Sequence, residues 1–318
     1  MFKNILLFIE PNIANENMLE CALGISKKFG SQISLTAVVQ PIPSVIKLAL
    51  QKKYAQEIFD AKRSEASEAL TLANDFFNRH NLNVNSKVAD GIPFVEIINQ
   101  VVQQDYDLIM IMTDNNQSGV LEKFFGSTQM QLLRKCPCPV WVIKPDSGPV
   151  FKRVLTPVDT KELDEPHANL NQTLVQATRA TIELGNKSIN FVQVWSVYGE
   201  GYLATRAGVS EETIRELRRE TLKENMQRLR DVVAQEDWGT TKVNTHFPRS
   251  DYPAEEIIQL VAKEKIDLLI MGTVCRTGIE GFIVGNTAEK VLNEVSCSVL
   301  AFKPEGFISP VVVPVKQS

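Results

Sequence analysis

Phe2-Lys3-Asn4-Ile5-Leu6-Leu7-Phe8-Ile9-Glu10 returns later in the chain as Phe151-Lys152-Arg153-Val154-Leu155-Thr156-Pro157-Val158-Asp159, at an offset of 151 − 2 = 149. Further signals repeat in the same order. Pro93-x-x-Glu96-Ile97-Ile98 with Tyr106-Asp107-Leu108-Ile109 becomes Pro253-x-x-Glu256-Ile257-Ile258 with Ile266-Asp267-Leu268-Leu269, at 253 − 93 = 160. Gly126-Ser127-Thr128 and Lys144-Pro145 become Gly285-Asn286-Thr287 and Lys303-Pro304, at 285 − 126 = 159. Self-similarity in fixed order marks a duplicated structural unit. The chain therefore reads as two tandem domains, 1–147 and 148–318. The change of offset from 149 to 160 places 11 net extra residues in the second copy, and the Gly- and Tyr-containing stretch 196–208 is the expected location.

Each copy alternates strands with helices. Residues 5–9 and 154–158 are short apolar runs ended by an acid, as expected of buried parallel strands. Helices follow over 15–29 and 169–184, closed by Gly30 and Gly185. Second strands are expected over 33–39 and 189–195, then long helices over 55–78 and after Ser210-Glu211-Glu212, whose acids favour the helix N-terminus. Third strands over 84–88 and 243–246, helices opened by Pro93 and Pro253, fourth strands over 108–112 and 268–272, and last strands over 140–143 and 299–302 complete the pattern. The fold class is α/β, two tandem doubly wound domains, each with a five-stranded parallel sheet and right-handed crossovers. In such sheets ligands sit beyond the strand C-termini at the switch point.

Composition narrows the function. A chain of 318 residues, 44% hydrophobic and 23% charged with a net charge of −4, reads as a soluble globular protein with no basic patch for direct nucleic-acid binding. The apolar run 5–9 is too short for a signal segment or a membrane span, so a cytoplasmic location without membrane attachment is expected. Five cysteines, odd in number and sparse, suit a reducing compartment. Cys136-Pro137-Cys138-Pro139 lacks the C-x-x-C redox spacing, and an inert thiol is the default for Cys275. His80, His167 and His246 have no ligand spacing and read as surface or loop residues, without a metal site. Walker and dinucleotide fingerprints are absent.

The fourth strand of the second copy runs into Met271-Gly272-Thr273-Val274-Cys275-Arg276-Thr277-Gly278-Ile279-Glu280-Gly281-Phe282-Ile283-Val284-Gly285-Asn286-Thr287. Glycines permit close backbone approach, and Gly285-Asn286-Thr287 opens a helix whose positive end favours anions. A phosphate cradle is one reading; a tight strand-to-helix turn is the other.

Val154-Leu155-Thr156-Pro157-Val158-Asp159, Met271-Gly272-Thr273, Arg276-Thr277-Gly278 and Gly285-Asn286-Thr287-Ala288-Glu289-Lys290-Val291 together resemble the universal stress protein family in its tandem form, over essentially the whole chain. The resemblance implies a non-enzymatic stress-response regulator with roles in stress survival, including resistance to DNA damage. It implies an adenine nucleotide, ATP or ADP, in the second domain, with Mg if a triphosphate is bound. Asp159 would then take the adenine end, with Pro157, Val158 and Val194 lining it. Met271 and Gly272 would border the ribose, and Gly285, Asn286 and Thr287 would meet phosphates, with Cys275 and Arg276 in the intervening loop. Against the family's glycine signature, Gly272 and Gly285 fit, while Cys275 stands for the middle glycine and Asn286 for a serine or threonine. Domains of this family pair through their last strands, so an internal pseudo-dimer is expected, with a homodimer and an unidentified protein partner as further expectations.

The first copy departs further. Glu10 replaces the shorter acid, Met112 stands at the Gly272 position, and Asp114-Asn115-Asn116-Gln117 replaces the glycine-containing stretch. Like charges about 4 Å apart at a surface-like dielectric repel by about 4 kcal/mol, so Asp114 opposes a triphosphate and no usual ATP site is expected there. Phe124 and Phe125 read as core residues. Two other classes remain open. A slow ATPase or nucleotidyl-transfer enzyme would use His246 or Glu280, and an apolar or acyl ligand would use Met110, Met112, Phe124 and Phe125.

Overall fold

The computed structural model describes residues 1–11, 13, 15–49, 52–113, 127–160, 165–185, 187–206, 208–273 and 284–311. The first half runs β1 (Asn4–Phe8), α1 (Glu16–Phe29), β2 (Gln32–Val39), α2 (Ser44–Ala49), α3 (Lys52–Arg79), β3 (Asn85–Asp90), α4 (Pro93–Gln104), β4 (Leu108–Met112), α5 (Ser127–Lys135) and β5 (Val140–Ile143). The second half repeats this with β6 (Arg153–Pro157), α6 (Glu165–Ile182), β7 (Ser188–Val192), α7 (Glu200–Thr205), α8 (Glu211–Val233), β8 (Lys242–His246), α9 (Pro253–Lys263), β9 (Leu268–Gly272), α10 (Asn286–Glu294) and β10 (Ser298–Phe302). Gly30 closes α1 with φ 67°, a left-handed conformation that glycine adopts without strain, and its N–H donates to Ser26 O. Ser210 caps α8 by accepting from the Thr213 N–H.

Each half is a parallel sheet in the order third, second, first, fourth, fifth strand, so its order reverses between the first and fourth strands. The halves meet along their last strands. β5 and β10 pair antiparallel, with Val142 opposite Val299, Trp141 opposite Leu300 and Val140 opposite Ala301. One sheet of ten strands results, β3-β2-β1-β4-β5-β10-β9-β6-β7-β8. Helices α1, α3, α6 and α8 cover one face over a core that includes Leu7, Trp141, Val154 and Phe191. Helices α4, α5, α9 and α10 cover the other over Ile109, Val142, Leu269 and Val299. Both cores extend through both halves, which is why the strands read as continuous apolar runs.

Two expectations change. The second strand of the second half stops at Val192 instead of reaching Trp195. Gln193 N–H donates to His246 O and Trp195 N–H to Pro248 O, but the return donor to Gln193 would be residue 248, and proline has none. Only the isolated bridge Trp195–Arg249 continues the pairing. Most of the extra residues of the second half also lie elsewhere than expected. Ile5 faces Ile33 and Val154 faces Ile189, so the offset is already 189 − 33 = 156 at the second strand. Seven of the added residues (156 − 149) therefore fall between β6 and β7, where α6 has 18 residues against 14 in α1. The stretch 196–208 carries α7, whose counterpart α2 already exists in the first half.

Candidate functional site

The reversal of strand order in the second half falls between β6 and β9, with β7 on the far side of β6. Pro157 ends β6, Val158 follows with its N–H on Val192 O at 2.9 Å, and Asp159 leaves the sheet edge. Asn171 of α6 holds that departure: its Nδ2 donates to Asp159 O at 2.6 Å and its Oδ1 accepts from Asp159 N–H at 3.4 Å. Side chains alternate across a strand, and Leu155 belongs to the core under α9 and α10, so Pro157 at the end of β6 turns to that face. Met271 lies in the same core and Val194 packs against it. Pro157, Val194 and Met271 thus share one face at three neighbouring strand ends, and Asp159 follows two residues after the first of them. Val158 belongs to the opposite core.

Gly272 closes β9 opposite Phe302 and lies under α6; a β-carbon there would come 2.8 Å from Leu170 Cδ2. Gly285 is buried in the cap position of α10, where it brings no side-chain acceptor, and Asn286 and Thr287 are exposed on the first turn. A helix's first turn offers backbone N–H groups and the positive dipole end to an anion, worth about 0.3–1 kcal/mol at the surface. Glu289 of this turn is not opposite that anion without compensation: its carboxylate is paired with Arg134 of α5. Cys275 and Arg276 lie outside the described residues, as do Asp114, Phe124, Phe125, Gly126 and Glu280.

Several polar residues beside these strand ends were not singled out from the sequence. Thr160 Oγ1 donates to Gln193 Oε1 at 2.9 Å, Gln193 Nε2 donates to Asn225 Oδ1, and Asn225 Nδ2 donates to Thr221 O at 2.7 Å. Arg228 adds a contact to Thr160 O. Thr160, Gln193 and Asn225 are buried, and a buried polar chain is tolerated only when its members are satisfied. Gln193 was visible in principle: it takes the core-facing place after Ile189 and Phe191, where the alternation calls for an apolar residue and the first half has Ala37. Asn225 and Thr160 gave no comparable signal, because their partners are distant in sequence.

Lys303, noted above only as a repeat marker, follows β10 and sits between the halves. Its Nζ donates to Leu133 O at 2.7 Å and to Thr273 Oγ1 at 2.5 Å, and burial pushes its pKa down to about 8. His246 ends the third strand of the second half, as the span 243–246 expects, and is not a surface or loop residue. It stands half-buried in β8 with Nε2 donating to Asn190 Oδ1 at 3.1 Å, and burial lowers its pKa. His80 is exposed near the end of α3 and rests on Phe76. Among the described residues there is no cluster of three or more metal-ligating side chains. Nor is any described helix long and apolar enough to cross a membrane.

Two doubly wound units with the strand order 3-2-1-4-5, joined antiparallel through their last strands, define the class. The model of the universal stress protein family matches residues 1–144 and again 151–303, and the chain belongs to that family. Among its relatives it is 27% identical over 316 residues to Universal stress protein E of Escherichia coli, covering 98% of this chain and 97% of that one. Against Universal stress protein E of Photorhabdus laumondii the identity is 24% over 314 residues, covering 98% of each chain. The crystal structure of a universal stress protein from Archaeoglobus fulgidus superposes with a TM-score of 0.63 at 18% identity, covering 95% of this chain and 96% of that one, a likeness of fold.

Proposed function

We propose that this protein is a non-enzymatic stress-response regulator whose second domain (148–318) binds one adenine nucleotide, ATP or ADP, with Mg accompanying a triphosphate. The first domain (1–147) binds none in that manner and serves pairing. The observation that carries the reading is that Met271 and Val194 share a core with Val284 and Ala288 at the start of α10, next to the strand end where Pro157 and Asp159 leave β6. The apolar members offer a flat, dry wall for a base, and a carboxylate at the strand end accepts a hydrogen bond from an exocyclic amine. Gly285, Asn286 and Thr287 supply N–H groups and a side-chain donor for phosphate, and Cys275 and Arg276 complete the loop between them.

The helix dipole alone contributes too little for micromolar binding, which needs about 8 kcal/mol, so the base must supply most of the affinity. The protein acts in the cytoplasm, relays its nucleotide state to a protein partner, forms homodimers through remaining surface, and supports resistance to DNA-damaging agents. Mass spectrometry of small molecules released from denatured purified protein tests the reading. ATP or ADP at about one per chain supports it; two per chain overturns the assignment for the first domain, and a fatty acid points to an apolar-ligand carrier instead.

A further inference from the structure

The antiparallel join sets the starting edge of the first half's sheet beside the strand-end edge of the second, where Val140 pairs with Ala301. In the turn between α5 and β5 at that edge, Cys136-Pro137-Cys138-Pro139 brings two thiols within 3.6 Å. Cys136 is buried and Cys138 is partly exposed. The prolines on either side of Cys138 fix φ at two positions and restrict the turn that presents both sulfurs. The matching turn of the second half has Val295 and Cys297, since 295 − 136 and 297 − 138 are both 159, and so holds no pair.

We propose that Cys136 and Cys138 form a reversible intramolecular disulfide with a low-molecular-weight disulfide as the oxidant. The sulfurs need to approach by about 1.5 Å to reach bonding distance, a change within reach of side-chain rotation in one turn. Cys138 is the more exposed of the two residues. Its thiolate attacks one sulfur of R–S–S–R, forming Cys138–S–S–R and releasing R–S⁻, which takes up a proton. Cys136, having released its own proton, then attacks the Cys138 sulfur and expels the second R–S⁻. Two protein thiols are oxidised and one small disulfide is reduced to two thiols.

The surroundings set the rate and the consequence. The hydrogen bond with Cys136, and then burial, hold the Cys138 thiol well above its ordinary pKa, so the reacting thiolate is scarce at neutral pH. Cys21 and Cys297, both pushed up to about 12 by burial, are protected further. Cys136 N–H donates to Leu132 O at 2.9 Å in closing α5, and the next carbonyl, Leu133 O, accepts from Lys303, which also holds Thr273 at the end of β9. The modification therefore falls on the turn that follows Leu133, one of the points where the halves touch.

The test uses the full chain in mixtures of oxidised and reduced glutathione, quenched with acid, alkylated and digested with trypsin. Peptide 136–152 carries both of these cysteines and no other. The expected product is unalkylated and about 2 mass units lighter, returns to two alkylated thiols with dithiothreitol, and forms about tenfold faster for each pH unit above 7. Cys138→Ser abolishes the mass loss. Two alkyl groups at every glutathione ratio, a mixed disulfide that never closes, or a rate independent of pH would each overturn the proposal.

Discussion

Leu170 of α6 lies over Gly272 at the end of β9 so closely that a β-carbon on residue 272 would come within 2.8 Å of Leu170 Cδ2. The contact joins the helix that follows the first strand to the end of the fourth, across the switch point of the second half. Gly272→Ala forces the Leu170 tip to rotate, and overpacking of this kind costs about 1–3 kcal/mol, here at the low end because a flexible side chain yields. Leu170→Ala in the same chain relieves the clash, so a double-mutant cycle in urea should show coupling above about 0.5 kcal/mol. Additive single effects would contradict this packing.

Gln193 and Asn225 stand or fall together. Asn225→Ala removes the acceptor of Gln193 Nε2 inside a buried layer, and leaving that donor unpaired should cost about 1–3 kcal/mol. Adding Gln193→Ala removes the orphaned amide and reproduces the Ala37 of the first half, so part of the loss should return. Denaturant midpoints of the two single variants and the double variant check this.

Lys303 should give alkaline stabilisation. Its pKa is about 8 in the folded protein against an ordinary value of 10.5, so between those values the unfolded chain holds a proton that the folded chain has released. Unfolding then takes up a proton, and stability rises with pH through that window, by about 3 kcal/mol at most. Cys21 and Cys297 act in the opposite sense above pH 9, because burial raises their pKa. Comparison with Lys303→Met cancels the cysteine contribution. The stability of wild type minus that of the variant should grow between pH 8 and 10; a constant difference would show that the amine is not desolvated.

Arg134 and Glu289 link α5 to α10 across the halves, with side chains 36% and 33% exposed. Ion pairs this open to water contribute about 0–1 kcal/mol and weaken with salt. A cycle of Arg134→Ala and Glu289→Ala should therefore show coupling below about 1 kcal/mol, nearly lost at 1 M salt. A larger, salt-insensitive coupling would mean that this pair, and not the strand pairing of β5 with β10, dominates the join.

Much of the fold was legible because apolar runs and their repeat are local signals. The bounds expected for β4, β5 and β9 are those observed. β7 was overextended because the apolar run does not reveal that its neighbour's donor is lost at Pro248, a fact of sheet order. Most of the added residues were misplaced because glycine and tyrosine mark a loop's composition, whereas seven of them fall between β6 and β7, four in α6, a helix whose extra turn looks like any helix. For the candidate site, Pro157, Asp159 and Gly285 were visible at element ends. That Pro157, Val194 and Met271 share a face was not, since it depends on which strands are neighbours. The Leu170 contact and the Thr160–Gln193–Asn225 chain join residues far apart in sequence, and no spacing rule announces them.

Nucleotide stoichiometry tests the central claim most directly. Equilibrium dialysis of the full chain against radiolabelled ATP with Mg, and separately ADP, should saturate at about one nucleotide per chain. Saturation at two, or no binding up to millimolar nucleotide from protein freed of any bound ligand, would contradict the assignment of a single adenine-nucleotide site to the second domain.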